Sequence, residues 1–285
     1  MQRSFFKQGY SLIALFLIFI PFQASSDHWG KPKIDGPGPW EENLSTASVK
    51  GMSFEIGKKG QLLIRQAGVA NLLEYKGVPR LYFQWLPTVN NLHSNFDHIA
   101  FMDLRNEKWS APRVVNIPFA DKPKKYPVDP TVVKLPNGDL RMYFTSVRKK
   151  GTFIGSAISS DGINFLIEKG KRLKENNVDF KDCAVIFYNE KWHMITPSHN
   201  GDGQGFYATS SDGLNFTRES DVRVKAKGDW LGNMVITGGE VYFFGTGFVA
   251  KTNNFNDWEL TSKHRLQDPA AIFFKDKTIV VSTTE

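Results

Sequence analysis

The stretch VDPTVVKLPNGDLRMYFTS, residues 128–146, decides the fold. It reads as a short apolar strand, a tight turn at Asn137 and Gly138, and a second strand of aromatic and β-branched residues, which is the pattern of a β-hairpin. The same layout recurs in KDCAVIFYNEKWHMITPS, residues 181–198, and in QDPAAIFFKDKTIVVSTT, residues 267–284. Weaker copies are GVANLLEYKGVPRLYFQW, residues 68–85, and GNMVITGGEVYFFGTG, residues 232–247. Five hairpins are therefore expected.

Each copy extends outward in the same way. AISSDGINF, residues 157–165, and ATSSDGLNF, residues 208–216, read as a third strand, an Asp-Gly turn and the start of a fourth strand. They lie 51 residues apart, close to the roughly 40–50 residues of a four-stranded propeller blade. HIAFMDLRNEKW, residues 98–109, and VAKTNNFNDWEL, residues 249–260, stand at the equivalent places. The fifth hairpin has no room for outer strands, but TASVKGMSFEIGKKGQLL, residues 46–63, lines up with AISSDGINFLIEKGKRL, residues 157–173. The expected architecture is an all-β, five-bladed β-propeller over residues 44–285, its ring closed by N-terminal strands that complete the C-terminal blade. Closure protects strand edges that an open ring would leave unpaired.

In such a ring the innermost strands begin around one funnel. Those starts are Gly68, Asp129, Asp182, Gly232 and Asp268. The loops at 86–95, 147–151 and 198–205 open on the same face, whereas the Asn-Gly and Asp-Gly turns lie on the other, so Asn137, Asp161 and Asp212 are assigned no function. Arg80, Lys134 and Arg141 read as strand decoration.

The first 26 residues carry Arg3 and Lys7, an uncharged apolar run from Ser11 to Phe22, and then Ala24, Ser25 and Ser26. That order is a secretory signal peptide, and the run is shorter than the about 20 residues of a membrane-spanning helix. Residues 27–43 read as an extended segment rich in Pro and Gly. The expectation is a secreted or periplasmic protein without a stable membrane anchor. Loss of residues 1–26 lowers the formal charge from +7 to +5. Lys and Arg are spread thinly, which argues against nucleic acid as a partner. Cys183 is the only cysteine, so no intramolecular disulfide and no Cys-based metal site can form.

The DP start, NG hairpin, MYFTS strand and SSDGxNF strand together resemble the five-bladed propeller glycoside hydrolases, which include the family 43 arabinanases and xylosidases and the invertase and levansucrase group. The resemblance implies three funnel carboxylates: an Asp in the first blade, an Asp in the second and a Glu in the third. Glycoside hydrolysis needs one carboxyl to protonate the leaving oxygen while an ionised one activates water or attacks the sugar. Asp129 matches the second-blade Asp. Gly68 stands at the first-blade position, Asp182 stands where the Glu is expected, and Val128 replaces the Arg that precedes the Asp in the invertase group.

On this pattern the candidate catalytic residues are Asp129 as base, Asp182 as acid and Asp268 as orienting group, with Asp179 as a substitute in the Asp182 loop. The other reading is that these aspartates satisfy backbone amides where loops enter strands. Candidate substrate-binding residues are Trp85, His93, His199 and Trp230, with His98 and Phe96 at the same borders. Three unclustered histidines do not make a zinc site. A calcium ion in the channel is allowed by the resemblance, since carboxylates are hard oxygen ligands. The expected partner is a carbohydrate, through glycoside hydrolysis or as the ligand of a non-catalytic propeller that binds a glycan or a partner protein.

Overall fold

The computed structural model describes residues 42–50, 55–86, 88–89, 92–93, 98–117, 127–148, 151–175 and 178–284. The expected leader and most of the extended segment lie outside the described residues. Among the described residues all the regular structure is β: five antiparallel blades in a ring, three of four strands and two whose outer edge is split into two short strands, with a two-stranded ribbon at Thr88–Val89 and Leu92–His93.

Blade 1 runs from the inner strand Ala67–Tyr75 through Val78–Trp85 and His98–Arg105 to the short outer strands Lys108–Trp109 and Arg113–Val114. Blade 2 comprises Pro127–Lys134, Leu140–Arg148, Gly151–Ser159 and Leu166–Leu173. Blade 3 is Ala184–Tyr188, Lys191–Pro197 and Gln204–Ser210, edged by Thr217–Arg218 and Val222–Arg223. Blade 4 is Asp229–Thr237, Glu240–Thr246, Phe248–Thr252 and Glu259–Lys263.

Blade 5 takes its inner pair, Gln267–Phe274 and Lys277–Thr284, from one end of the chain and its outer pair, Asn43–Lys50 and Glu55–Arg65, from the other. Asn43 pairs with Thr284 and Ala47 with Val280 across the antiparallel join.

Each blade buries both faces, so the apolar core is divided into layers between neighbouring blades. Tyr82 and Phe101 of blade 1 meet Met142 and Phe165 of blade 2, and Leu44 and Val281 of blade 5 meet Leu81 and Phe83 of blade 1. Near the axis the ring is joined by side chains in place of strand pairing. Val132 N–H donates to Asn71 Oδ1 at 3.0 Å, the Thr131 hydroxyl donates to the Cys183 carbonyl, and Asn233 both accepts from Ala271 N–H and donates to its carbonyl.

The Asp-Gly turns form a second tier of joints. Arg80 and Tyr82 both donate to the Gly162 carbonyl of the next blade, and Tyr143 donates to Gly213. The left-handed glycines there, φ 69° at both 162 and 213, leave no room for a Cβ beneath the tyrosine hydroxyl. Arg80 is more than strand decoration: it is buried, with its guanidinium bidentate on Asp103 at 2.7 and 3.0 Å. Arg141 repeats the device on Glu168 at 2.9 and 3.0 Å. In blade 3 the same position holds His193, which stacks on Phe255 of the blade 4 turn with centroids 3.8 Å apart.

Candidate active site

Asp129, Asp182 and Asp268 come together at one end of the ring axis because the same local distortion recurs in three blades. Each has left-handed backbone, φ 53°, 52° and 42°, a region that Asp tolerates better than most residues. In blades 2 and 5 the ladder slips at this point, between Val128 and Thr131 and between Gln267 and Ala270. A bulge of this kind re-aims side chains, here towards the axis. The preceding blade holds each amide: Gln84 Oε1 accepts from Asp129 N–H at 3.4 Å, Thr145 Oγ1 from Asp182 N–H at 3.0 Å, and Thr246 Oγ1 from Asp268 N–H at 2.8 Å.

The carboxyls do none of the amide-capping work that the alternative reading of these residues requires. Asp161 and Asp212 show what that work looks like: each Oδ1 accepts two backbone N–H groups at 2.7 to 2.8 Å, and both carboxyls are held below the usual carboxylate range. Asp129 instead hydrogen-bonds Thr145 and the Asp182 carboxyl. Burial, followed by the negative charge of Asp182, pushes Asp129 well above its ordinary value; burial, Asp182 and Glu42 do the same for Asp268. Two like-charged carboxyls in contact share a proton, because both cannot ionise together cheaply.

His199 Nε2 lies 3.3 Å from Asp182 Oδ2. Its loop brings it over blade 3 in a left-handed conformation, φ 59°. The dyad of Asp129 and Asp182 therefore has a basic group on its Asp182 side.

The space between these residues is a narrow throat of about 10 Å³, room for roughly one water and no sugar ring. Val69, Asp129, Asp182, Gly232 and Asp268 line it. In blade 1 the register differs by one residue from the sequence expectation: Val69, φ 52°, takes the backbone conformation of the aspartates, and Gly68 precedes it. A β-branched residue in that region is strained.

Of the expected binding residues, Trp230 is corrected. It is fully buried in the layer between blades 3 and 4, edge-on to Phe243, Phe248 and Trp258, with its indole N–H donating to the Gly203 carbonyl at 2.9 Å. Sequence register placed it near the funnel but could not tell inward from outward. Trp85 ends the second strand of blade 1 beside Ala67 and His98, half-buried against the layer shared by blades 5 and 1. Burial lowers the pKa of His98.

His93 is described only through its backbone pairing with Thr88, and Phe96 lies outside the described residues. Asp179 is engaged elsewhere, its Oδ1 accepting from Thr152 N–H at 3.0 Å. Among the described residues no group of three His, Cys, Asp or Glu side chains is arranged to hold a metal ion. Glu42, which the sequence reading passed over, reaches this end of the ring between blades 5 and 1: its carbonyl accepts from Ala67 N–H at 3.1 Å, and its carboxylate lies against Gly68.

No family model matches the chain, and no curated protein matches it. Solved structures do. A GH130 glycoside hydrolase that targets β-1,2 mannosidic linkages in Candida mannan is 11% identical, with a TM-score of 0.53 over 77% of this chain and 84% of that one. A thermostable family-43 glycoside hydrolase is 12% identical, TM-score 0.55, over 76% and 88%. The GH32 β-fructofuranosidase of Bombyx mori is 14% identical, TM-score 0.54, over 85% of this chain and 57% of the enzyme. What these proteins share with this chain is the five-bladed propeller fold.

Proposed function

We propose that the protein acts on a glycan by glycoside hydrolysis at the axial carboxyls. The observation that carries this reading is the convergence of Asp129, Asp182 and Asp268, free of capping duties, at the axial end of a fold shared with glycoside hydrolases. Fold alone would not suffice, since one scaffold hosts many activities.

Hydrogen-bonded to each other, Asp129 and Asp182 are closer than the about 5–5.5 Å or 6.5–9.5 Å at which two carboxyls straddle a glycosidic bond. They act as one proton donor. Asp129, read from the sequence as the base, becomes the donor because burial and Asp182 raise its pKa: its proton passes to the leaving oxygen, and His199 steadies the negative charge left on the dyad. Water is activated from the side of blade 5, where Asp268 orients it. The sugar sits above the throat, with only a hydroxyl or a water entering it, and Trp85 offers an aromatic edge at the rim. The leader-like order of residues 1–26 supports export to the periplasm or medium.

Val69 favours a second reading, in which the propeller binds a glycan or a partner protein without cleaving it, because the blade 1 position carries no carboxyl of its own. Incubating the purified protein with aryl glycosides and polysaccharides, beside Asp129→Asn and Asp182→Asn, separates the two. Release of sugar by the wild type and its loss in both variants supports hydrolysis. Glycan retention in affinity electrophoresis that is equal in all three proteins, with no sugar released, supports binding alone.

A further inference from the structure

Among the described residues blade 1 carries no axial carboxyl of its own, yet a carboxylate stands beside it. Glu42 directly precedes the third strand of blade 5, and its side chain occupies the place where a Cβ on residue 68 would fall: such an atom would collide with Glu42 Oε2. Gly68 does not have left-handed backbone, so its conformation does not call for glycine. The missing side chain is what admits the carboxylate.

Thr283 supplies the independent sign that something binds there. It is 5% exposed, and its hydroxyl has no hydrogen-bond partner among the described residues. It lies 3.8 Å from the same Cβ position. The equivalent hydroxyls are employed: Thr246 accepts from Asp268 N–H, and Thr145 accepts from Asp182 N–H while bonding the Asp129 carboxyl. A buried hydroxyl left unpaired is destabilising, a cost that a bound hydroxyl or water would remove.

We propose that Glu42 is a catalytic carboxylate of the glycosidase reaction, the base opposite the Asp129 and Asp182 dyad, seated in a socket made by Gly68 and Thr283. The proposal rests on the hydrolytic reading above. Water bridging Thr283 Oγ1 and Glu42 attacks the anomeric carbon and gives its proton to Glu42. The bond from the anomeric carbon to the leaving oxygen breaks, and that oxygen takes the proton from Asp129. One water is consumed, and solvent returns the proton from Glu42 to the dyad. Among the described residues Asp268 is the charged group that senses Glu42, with Asp182, and His199 at its Oδ2, on the far side of Asp268.

The test uses Glu42→Ala, Glu42→Gln and Gly68→Ala in the full chain. Gly68→Ala folds, since its Cβ meets only the movable end of Glu42, and it expels the carboxylate without altering it. On a glycoside that the wild type cleaves, all three variants lose about 10²–10⁴-fold in turnover, and added formate restores Glu42→Ala. Unchanged turnover in Glu42→Gln, or loss in Glu42→Ala that formate does not restore, overturns the catalytic role.

Carbon NMR titration of the Asp268 carboxyl, which needs no substrate, reads the placement separately. Asp268 titrates at lower pH in Glu42→Gln than in the wild type if the two carboxyls face each other, and an unchanged titration overturns the socket. A wild type that cleaves nothing, with the Asp268 titration moved, removes the hydrolytic reading and leaves the socket standing.

Discussion

His199 Nε2 stands 3.3 Å from Asp182 Oδ2, and Asp182 in turn hydrogen-bonds the carboxyl of Asp129. A base, a carboxylate and a second carboxyl thus form one chain from a blade 3 loop into the axis. Removing the imidazole at its outer end takes a polar partner from Asp182 and makes the last proton of the dyad harder to lose. His199→Gln is therefore expected to move the basic limb of the pH–rate profile to higher pH and to lower the turnover number, since the donor becomes a weaker acid. An unmoved basic limb on a responding glycoside would show that His199 is not coupled to the dyad.

The dyad also costs stability. Asp129 and Asp268 have folded-state pKa values above their ordinary 3.8. An acid of this kind binds more protons folded than unfolded once the pH exceeds its unfolded value, so stability falls as pH rises from about 4 towards the folded-state pKa. Asn in place of either residue should stabilise the protein at pH 7 by about 0.5–2 kcal/mol, raising Tm by a few degrees while abolishing activity. Chemical unfolding of Asp129→Asn and Asp268→Asn at pH 4 and pH 7 checks this, with the gain expected to be larger at pH 7.

The Arg80 and Asp103 pair welds blade 1 to the turn of blade 2. Arg80→Ala leaves buried Asp103 with only the exposed Arg105, 3.4 Å from Oδ2, and should cost about 3 kcal/mol. Replacing both residues by Leu should recover most of that loss, since a buried ion pair is often no more stabilising than apolar packing of similar volume. Urea denaturation of the single and double variants measures the difference, and equal losses in both would mean that the contacts of Arg80 to Gly162 dominate.

His264 gives the molecule an acid limit. Burial lowers its pKa from 6.5 to about 4, and its Nδ1 accepts from Leu266 N–H at 3.1 Å, a bond the imidazolium cannot make. The unfolded chain binds the extra proton as pH falls through 6.5, so stability is lost between about 6.5 and 4 and becomes independent of this group below that. His264→Gln should flatten the fall in Tm over that window.

The hairpin copies made blade number and strand order legible, because turn chemistry and strand alternation are local properties. The axial aspartates were legible for the same reason, as each follows from its place at the start of an inner strand. Val69 was misread by one residue, since the bulge that sets it in register with Asp129 is invisible in a sequence whose neighbours are Gly68 and Ala70. Trp230 was misread because burial depends on the packing of Phe243, Phe248 and Trp258 from other strands. Glu42 went unnoticed, although its position just before a third strand of blade 5 put it on the funnel face.

The shared proton at the axis is most directly tested by carbon NMR titration of Asp129 in the wild type and in Asp182→Asn. The Asp129 carboxyl should stay protonated well above pH 3.8 in the wild type and titrate lower once the charge of Asp182 is gone. Titration near 3.8 in both proteins would contradict the shared proton, and with it the proton donor on which the hydrolytic account depends.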